Sequence, residues 1–186
     1  APEAPSQGDD AAGAGGVHTD IIGGHAASEQ YPWIVSLQMD WKGDGNWHTC
    51  TGTLVFRDRV ELNAHCITEE GTRTVPDRGW HVRVGSNNRL DGGETATVVR
   101  LVFHEQWNWA EGAPKKKVAD LAELTLDHKL NLQPIEIAER PAQVRQKVRL
   151  LGWGVDTPDG SGPLPLNLQE LDTWLDPPSA CADAFI

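Results

Sequence analysis

The sequence predicts an all-β protein, an antiparallel sandwich or barrel. Beyond residue 20 the chain is a succession of short β-rich runs, and no stretch sustains a helical period. Turn signals separate the runs, among them Gly43-Asp44-Gly45, Asp91-Gly92-Gly93 and Pro158-Asp159-Gly160-Ser161-Gly162. Many short strands at this spacing suit antiparallel β architectures, and no internal repeat points to a solenoid.

In chain order, residues 1–20 are small, polar and without periodicity. They cannot bury enough apolar surface to offset their ordering entropy, so a disordered leader is expected. Composition shifts sharply at Ile21-Ile22-Gly23-Gly24. Strands are expected over 33–39, 48–56, 80–84, 95–103, 121–126, 148–153 and 168–174. Residues 127–146, carrying Pro134 and Pro141, read as a linker between a complete first unit and an incomplete second.

Composition narrows the function. The net charge of −11 argues against nucleic-acid and anionic-membrane partners, because neither polyanion attracts such a surface. No window approaches the run of about 18 apolar residues that a membrane span needs. The N-terminus lacks a basic segment followed by an apolar one, so the chain is either cytosolic or already relieved of an export signal. The cysteines are Cys50, Cys66 and Cys181, an odd number, which points to a free thiol, an intermolecular bridge or a partner outside the chain.

The chemistry centres on Glu61-Leu62-Asn63-Ala64-His65-Cys66. Histidine alone has an unperturbed pKa that lets it take and return protons near neutral pH, so His65 is the candidate base. A lone His-Cys pair is also compatible with a solvated or core histidine. A further alternative is zinc, for which His48, Cys50, His65 and Cys66 supply four ligand types, although their spacing matches no common finger.

Six motifs in register resemble the trypsin-like (chymotrypsin-fold) serine proteases. Ile21-Ile22-Gly23-Gly24, with Tyr31-Pro32-Trp33-Ile34-Val35-Ser36-Leu37-Gln38, is similar to the family's mature N-terminus, which would begin at Ile21. Cys50-Thr51-Gly52-Thr53-Leu54-Val55 resembles the strand before the catalytic histidine, and Asn63-Ala64-His65-Cys66 the histidine motif. Asp120-Leu121-Ala122-Glu123-Leu124 resembles the aspartate motif, and Leu151-Gly152-Trp153-Gly154 the start of the second barrel. Leu168-Gln169-Glu170-Leu171 followed by Cys181 fits the next strand and helix.

The resemblance implies a double antiparallel β-barrel: a first barrel over 21–130, a linker over 131–146 and an incomplete second barrel over 147–186. It implies a secreted endopeptidase acting on protein or peptide substrates, with no cofactor, no metal, and neither nucleic acid nor membrane as partner. His65 would act as general base and acid and Asp120 would orient it, while Cys50 and Cys66 would be bridged.

The sequence also departs from the pattern. The family's nucleophilic Gly-Asp-Ser-Gly-Gly-Pro motif does not occur. Its nearest imitation, Asp159-Gly160-Ser161-Gly162-Pro163, falls in what the family uses as a surface loop, so Ser161 is expected to be a turn serine. A truncated, inactive chain with Cys181 unpaired is therefore expected, with unpaired edges and an apolar face on 148–153 and 168–174. A non-catalytic pseudoprotease acting as a binding or regulatory module is the alternative.

Asp20 precedes Ile21 where the family has Arg or Lys, which argues against activation by trypsin-like cleavage. Leu62 replaces a small hydroxyl residue. Glu61 and Glu123 occupy positions where the family buries aliphatics, so costly buried carboxylates are expected there. Trp33, Trp80, Trp153 and Trp174 are expected in the core, and Trp41, Trp47, Trp107 and Trp109 near a cleft. Lys115-Lys116-Lys117 reads as a solvated loop.

Overall fold

The computed structural model describes residues 21–108, 119–155 and 162–181. The leader, Asp20, Trp109, the Lys115–117 run, Ser161 and the Cys181 side chain lie outside the described residues.

Among the described residues the chain forms β1 (His25–Ala26), β2 (Ile34–Trp41), β3 (Asp44–Phe56), β4 (Arg59–Leu62), β5 (His81–Val84), β6 (Glu94–Phe103), β7 (Ala122–Leu126), β8 (Lys147–Gly152) and β9 (Gln169–Trp174). Strands β2-β3-β4-β7-β6-β5 close into a barrel, and β1-β9-β8 form a separate antiparallel sheet. The all-β expectation is met, and each of the seven expected strands is present with its ends shifted by a few residues.

The barrel follows from alternation. On β4 and β7 every second residue is buried: Val60 and Leu62 on one, Ala122, Leu124 and Leu126 on the other. These join Val35, Leu37, Leu54, Val82 and Val84 in one core. β2 departs from alternation because both of its faces are covered. Val35 and Leu37 point into the barrel core, while Ile34 packs with Tyr31, Trp153 and Leu168 in a second cluster that joins barrel and sheet.

Four sequence expectations are corrected. The turn expected at Gly43-Asp44-Gly45 sits one residue earlier: Trp41 pairs with Asp44 across Lys42 and Gly43, whose φ values of 48° and 88° suit a tight hairpin. β4 was not anticipated, because its two outward positions are charged. Glu61 and Glu123 are not buried carboxylates. They are register partners on the barrel exterior, and Glu123 lies 3.4 Å from the Arg59 guanidinium.

The tryptophans form the fourth correction. Trp107 is fully buried against the barrel core rather than lining a cleft, with its indole N–H donating to Thr68 Oγ1 at 3.3 Å. Trp174 is 62% exposed rather than in the core. Among the described residues β8 pairs with β9 alone, and Leu150 on its surface is 48% exposed, as expected for an open edge, whereas β9 lies between β1 and β8, so the open edge expected over 168–174 is covered at its start by β1.

Candidate active site

The barrel register brings two distant segments together. Leu62 at the end of β4 pairs with Ala122 at the start of β7, so the residues just after β4 meet those just before β7. After Leu62 the chain turns through Asn63 into a single 3₁₀ turn, Ala64–Cys66. Ala64 is wholly buried, and its carbonyl accepts the Thr68 hydroxyl at 3.0 Å, so the turn is seated on the barrel. Leu62, the departure beside the histidine motif, packs in the barrel core.

His65 emerges from this turn with its side chain 11% exposed, beside an Asp120 side chain 21% exposed. The His65 ring donates from Nδ1 to Asp120 Oδ2 at 2.7 Å, and the His65 backbone N–H donates to Asp120 Oδ1 at 2.9 Å. Both carboxylate oxygens are thus occupied by one residue. A proton held on Nδ1 by a carboxylate places the neutral ring's lone pair on Nε2, the tautomer a general base requires. Asn63 adds a third contact, donating from Nδ2 to the Asp120 carbonyl at 3.2 Å.

Cys50 on β3 is bridged to Cys66, with Cα atoms 6.0 Å apart. The bridge anchors the 3₁₀ turn to the strand that flanks it, on the residue next to His65. The zinc alternative fails on the same observation. Donor atoms of Cys50, His65 and Cys66 cluster within 4.8 Å, yet both sulfurs are consumed in the disulfide and offer no thiolate. His48 faces elsewhere, with Nδ1 2.8 Å from Ser36 Oγ.

That Ser36–His48 contact was not foreseen. It is fully enclosed beneath Trp153, whose ring meets the imidazole edge-on at 5.4 Å, so no substrate can reach it. Burial, seconded by the charge of Arg89, holds the His48 pKa down at about 3, and the ring is neutral at physiological pH. The pairing depends on the β2–β3 register, which shifts between Leu37 and Gln38 and leaves no trace in the sequence.

Ile21 is buried, and its N–H donates to the Val155 carbonyl at 3.1 Å. Gly24 is required beside it, because a Cβ there would lie 2.6 Å from Ile21 Cγ2. Downstream, Glu170 of β9 accepts the Tyr31 hydroxyl at 2.6 Å and the Ser28 hydroxyl at 2.8 Å. Those two hydrogen bonds, the Tyr31 hydroxyl foremost, hold its carboxyl below the usual range. Arg149 donates to the Tyr31 hydroxyl and makes a two-pronged ion pair with Asp172. The segment after Ile21 is thereby fastened to the second sheet.

Comparison with known proteins agrees with this architecture. The Trypsin family model matches residues 21–185. A trypsin of Sarcophaga bullata is 28% identical over 158 residues, covering 83% of this chain and 57% of that protein, so the chain spans little more than half of its relative's length. Among solved structures, neuropsin, a serine protease expressed in the limbic system of mouse brain, superposes with a TM-score of 0.70 at 23% identity, covering 89% of this chain and 69% of neuropsin. GrC superposes with a TM-score of 0.71 at 22% identity, covering 89% and 70% respectively. The likeness to these two structures is one of fold, and it agrees with the closed barrel and the partial second sheet. The chain belongs to the trypsin family of chymotrypsin-fold serine proteases.

Proposed function

We propose that His65 and Asp120 are the base and the orienting acid of a Ser-His-Asp triad in a secreted endopeptidase that hydrolyses peptide bonds in protein or peptide substrates. The observation that carries this is the carboxylate of Asp120 receiving both the backbone N–H and the ring Nδ1 of His65. In the proposed reaction His65 Nε2 takes the proton of a serine hydroxyl as its oxygen attacks the scissile carbonyl. It returns that proton to the leaving amine, while Asp120 fixes the tautomer and stabilises the imidazolium.

The sequence has no Gly-Asp-Ser-Gly motif, so the nucleophile is assigned to residues outside these 186, and the chain by itself is proposed to be inactive. Residues 21–130 are proposed as the first-barrel unit, whose opening strand β1 lies in the second sheet beside β9, with 131–146 as the linker and 147–186 as part of the second barrel. The Cys50–Cys66 bridge supports an oxidising, extracellular location. The pseudoprotease alternative loses one of its supports, because Glu61 and Glu123 lie outside the barrel core.

Peptide hydrolysis by the protein as encoded, with any continuation beyond Ile186, tests the proposal. Replacing His65 with Ala is expected to lower kcat by about a millionfold, and Asp120→Asn by about ten-thousandfold through the wrong tautomer. Hydrolysis that survives His65→Ala would contradict the assignment, and no hydrolysis by the wild type would favour the binding-module alternative.

A further inference from the structure

We infer that Asn63 is a positioning residue for the His65–Asp120 pair, holding the backbone of Asp120 in register with the imidazole. The inference rests on the proposed role of that pair. Asn63 stands at the N-cap of the 3₁₀ turn, with φ −77° and ψ 142°. An asparagine there ordinarily turns its side-chain oxygen onto an amide two or three residues ahead. Here the side chain makes no capping bond, and the backbone carbonyl of Asn63 alone accepts the Cys66 N–H at 3.1 Å.

The side chain is instead sent 57 residues along the chain to the main-chain carbonyl of Asp120. A carbonyl can only be satisfied by a donor, so the amide orientation is fixed by its partner. Asp120 is then gripped at three points: His65 N–H on Oδ1, His65 Nδ1 on Oδ2, and Asn63 Nδ2 on the backbone oxygen. Two grips fix the carboxylate and the third fixes the peptide that carries it.

The backbone around Asp120 gives that third grip a purpose. Ala119 has φ 58°, a left-handed conformation that a residue with a Cβ adopts only at a cost. Leu121 N–H folds back to the Ala119 carbonyl at 2.8 Å, so the chain doubles through Asp120 before β7 begins at Ala122. Such a conformation persists only when surrounding contacts over-determine it. Asn63 is the contact that reaches this turn from the same segment that carries His65. A small aliphatic residue at position 63 would leave the Asp120 carbonyl without this donor, while the His65 contacts hold only the carboxylate and the His104 N–H, donating to the Leu121 carbonyl at 2.9 Å, holds only the next peptide.

The test is a nitrogen-15-edited NMR measurement of the His65 Nδ1 proton in the native protein as encoded and in its Asn63→Ala and Asn63→Gln variants, with melting temperatures recorded alongside. It needs no proteolytic activity, so its outcome is separable from that of the proposed function. In Asn63→Ala the Nδ1 proton should move upfield and exchange with water roughly threefold faster, the factor that one net hydrogen bond supports. Asn63→Gln, which keeps the donor, should restore most of both. An Nδ1 proton unchanged in Asn63→Ala, or changed equally in Asn63→Gln, would overturn the inference. So would a shift that merely tracks the loss of melting temperature across the two variants.

Discussion

Glu61 and Glu123 illustrate how much a single register decides. Both sit where the family resemblance implies buried aliphatics, yet the pairing of β4 with β7 turns them outward and sets them opposite each other. Like charges facing across an antiparallel pair destabilise it, and Arg59 relieves only one of the two, approaching Glu123. Glu61→Lys converts the pair to opposite charges and should stabilise the chain by about 0.5 kcal/mol in urea denaturation. A loss of stability would place Glu61 in contacts that the strand alternation does not indicate. At the candidate site, the motifs around His65 and Asp120, and not residue identity alone, single out both residues. The motifs could not show Asn63 bonded to Asp120, since a contact across 57 residues exists only once the barrel has closed.

Among the elements, the 3₁₀ turn Ala64–Cys66 depends most on a covalent restraint. It is a single turn, too short to be stable alone, and the bridge to Cys50 holds it against β3. Removing the bridge by Cys50→Ala together with Cys66→Ala should cost about 2–5 kcal/mol in denaturant unfolding. It should also loosen the His65–Asp120 hydrogen bond, readable as faster exchange of the Nδ1 proton. An unchanged midpoint would mean that packing of Ala64 and Leu62 suffices.

The strands themselves are legible where apolar and polar residues alternate, as over Trp80–Val84 for β5 and over Ala122–Leu126 for β7. β4 is not legible in the sequence because four residues with Arg59 and Glu61 outward present only two apolar side chains. Trp107 was misplaced for a related reason. Lying just beyond β6, it reads as a loop residue, but the chain folds back at His104–Trp107 and drives the indole into the core.

Taken whole, the molecule is a closed barrel joined to a smaller sheet through a buried seam. Ile34, Tyr31, Trp153 and Leu168 supply its apolar part, and Ser36 with His48 its polar part. His48 makes that seam sensitive to acid. Its folded pKa of about 3 lies below the ordinary histidine value, so between about 6.5 and 3 the unfolded chain binds the extra proton. Stability is therefore fully present above about pH 6.5 and is lost as pH falls toward 3. His48→Gln, which keeps a partner for Ser36 without a titrating ring, should flatten that pH dependence of the unfolding midpoint; an unaltered slope would assign it to the carboxylates. Two such units, a closed barrel and a sheet, were foreseeable from strand spacing and motif order. The seam was not, because both faces of β2 are buried and its polar residues pair only with a partner strand in shifted register.

The central claim is that the His65–Asp120 geometry serves a serine nucleophile. It is tested most directly by treating the protein as encoded, purified in its native form, with a serine-directed phosphonate probe. The account predicts covalent labelling of a serine in the wild type that falls to background in His65→Ala. A native protein that folds with the Cys50–Cys66 bridge intact and is never labelled would contradict it.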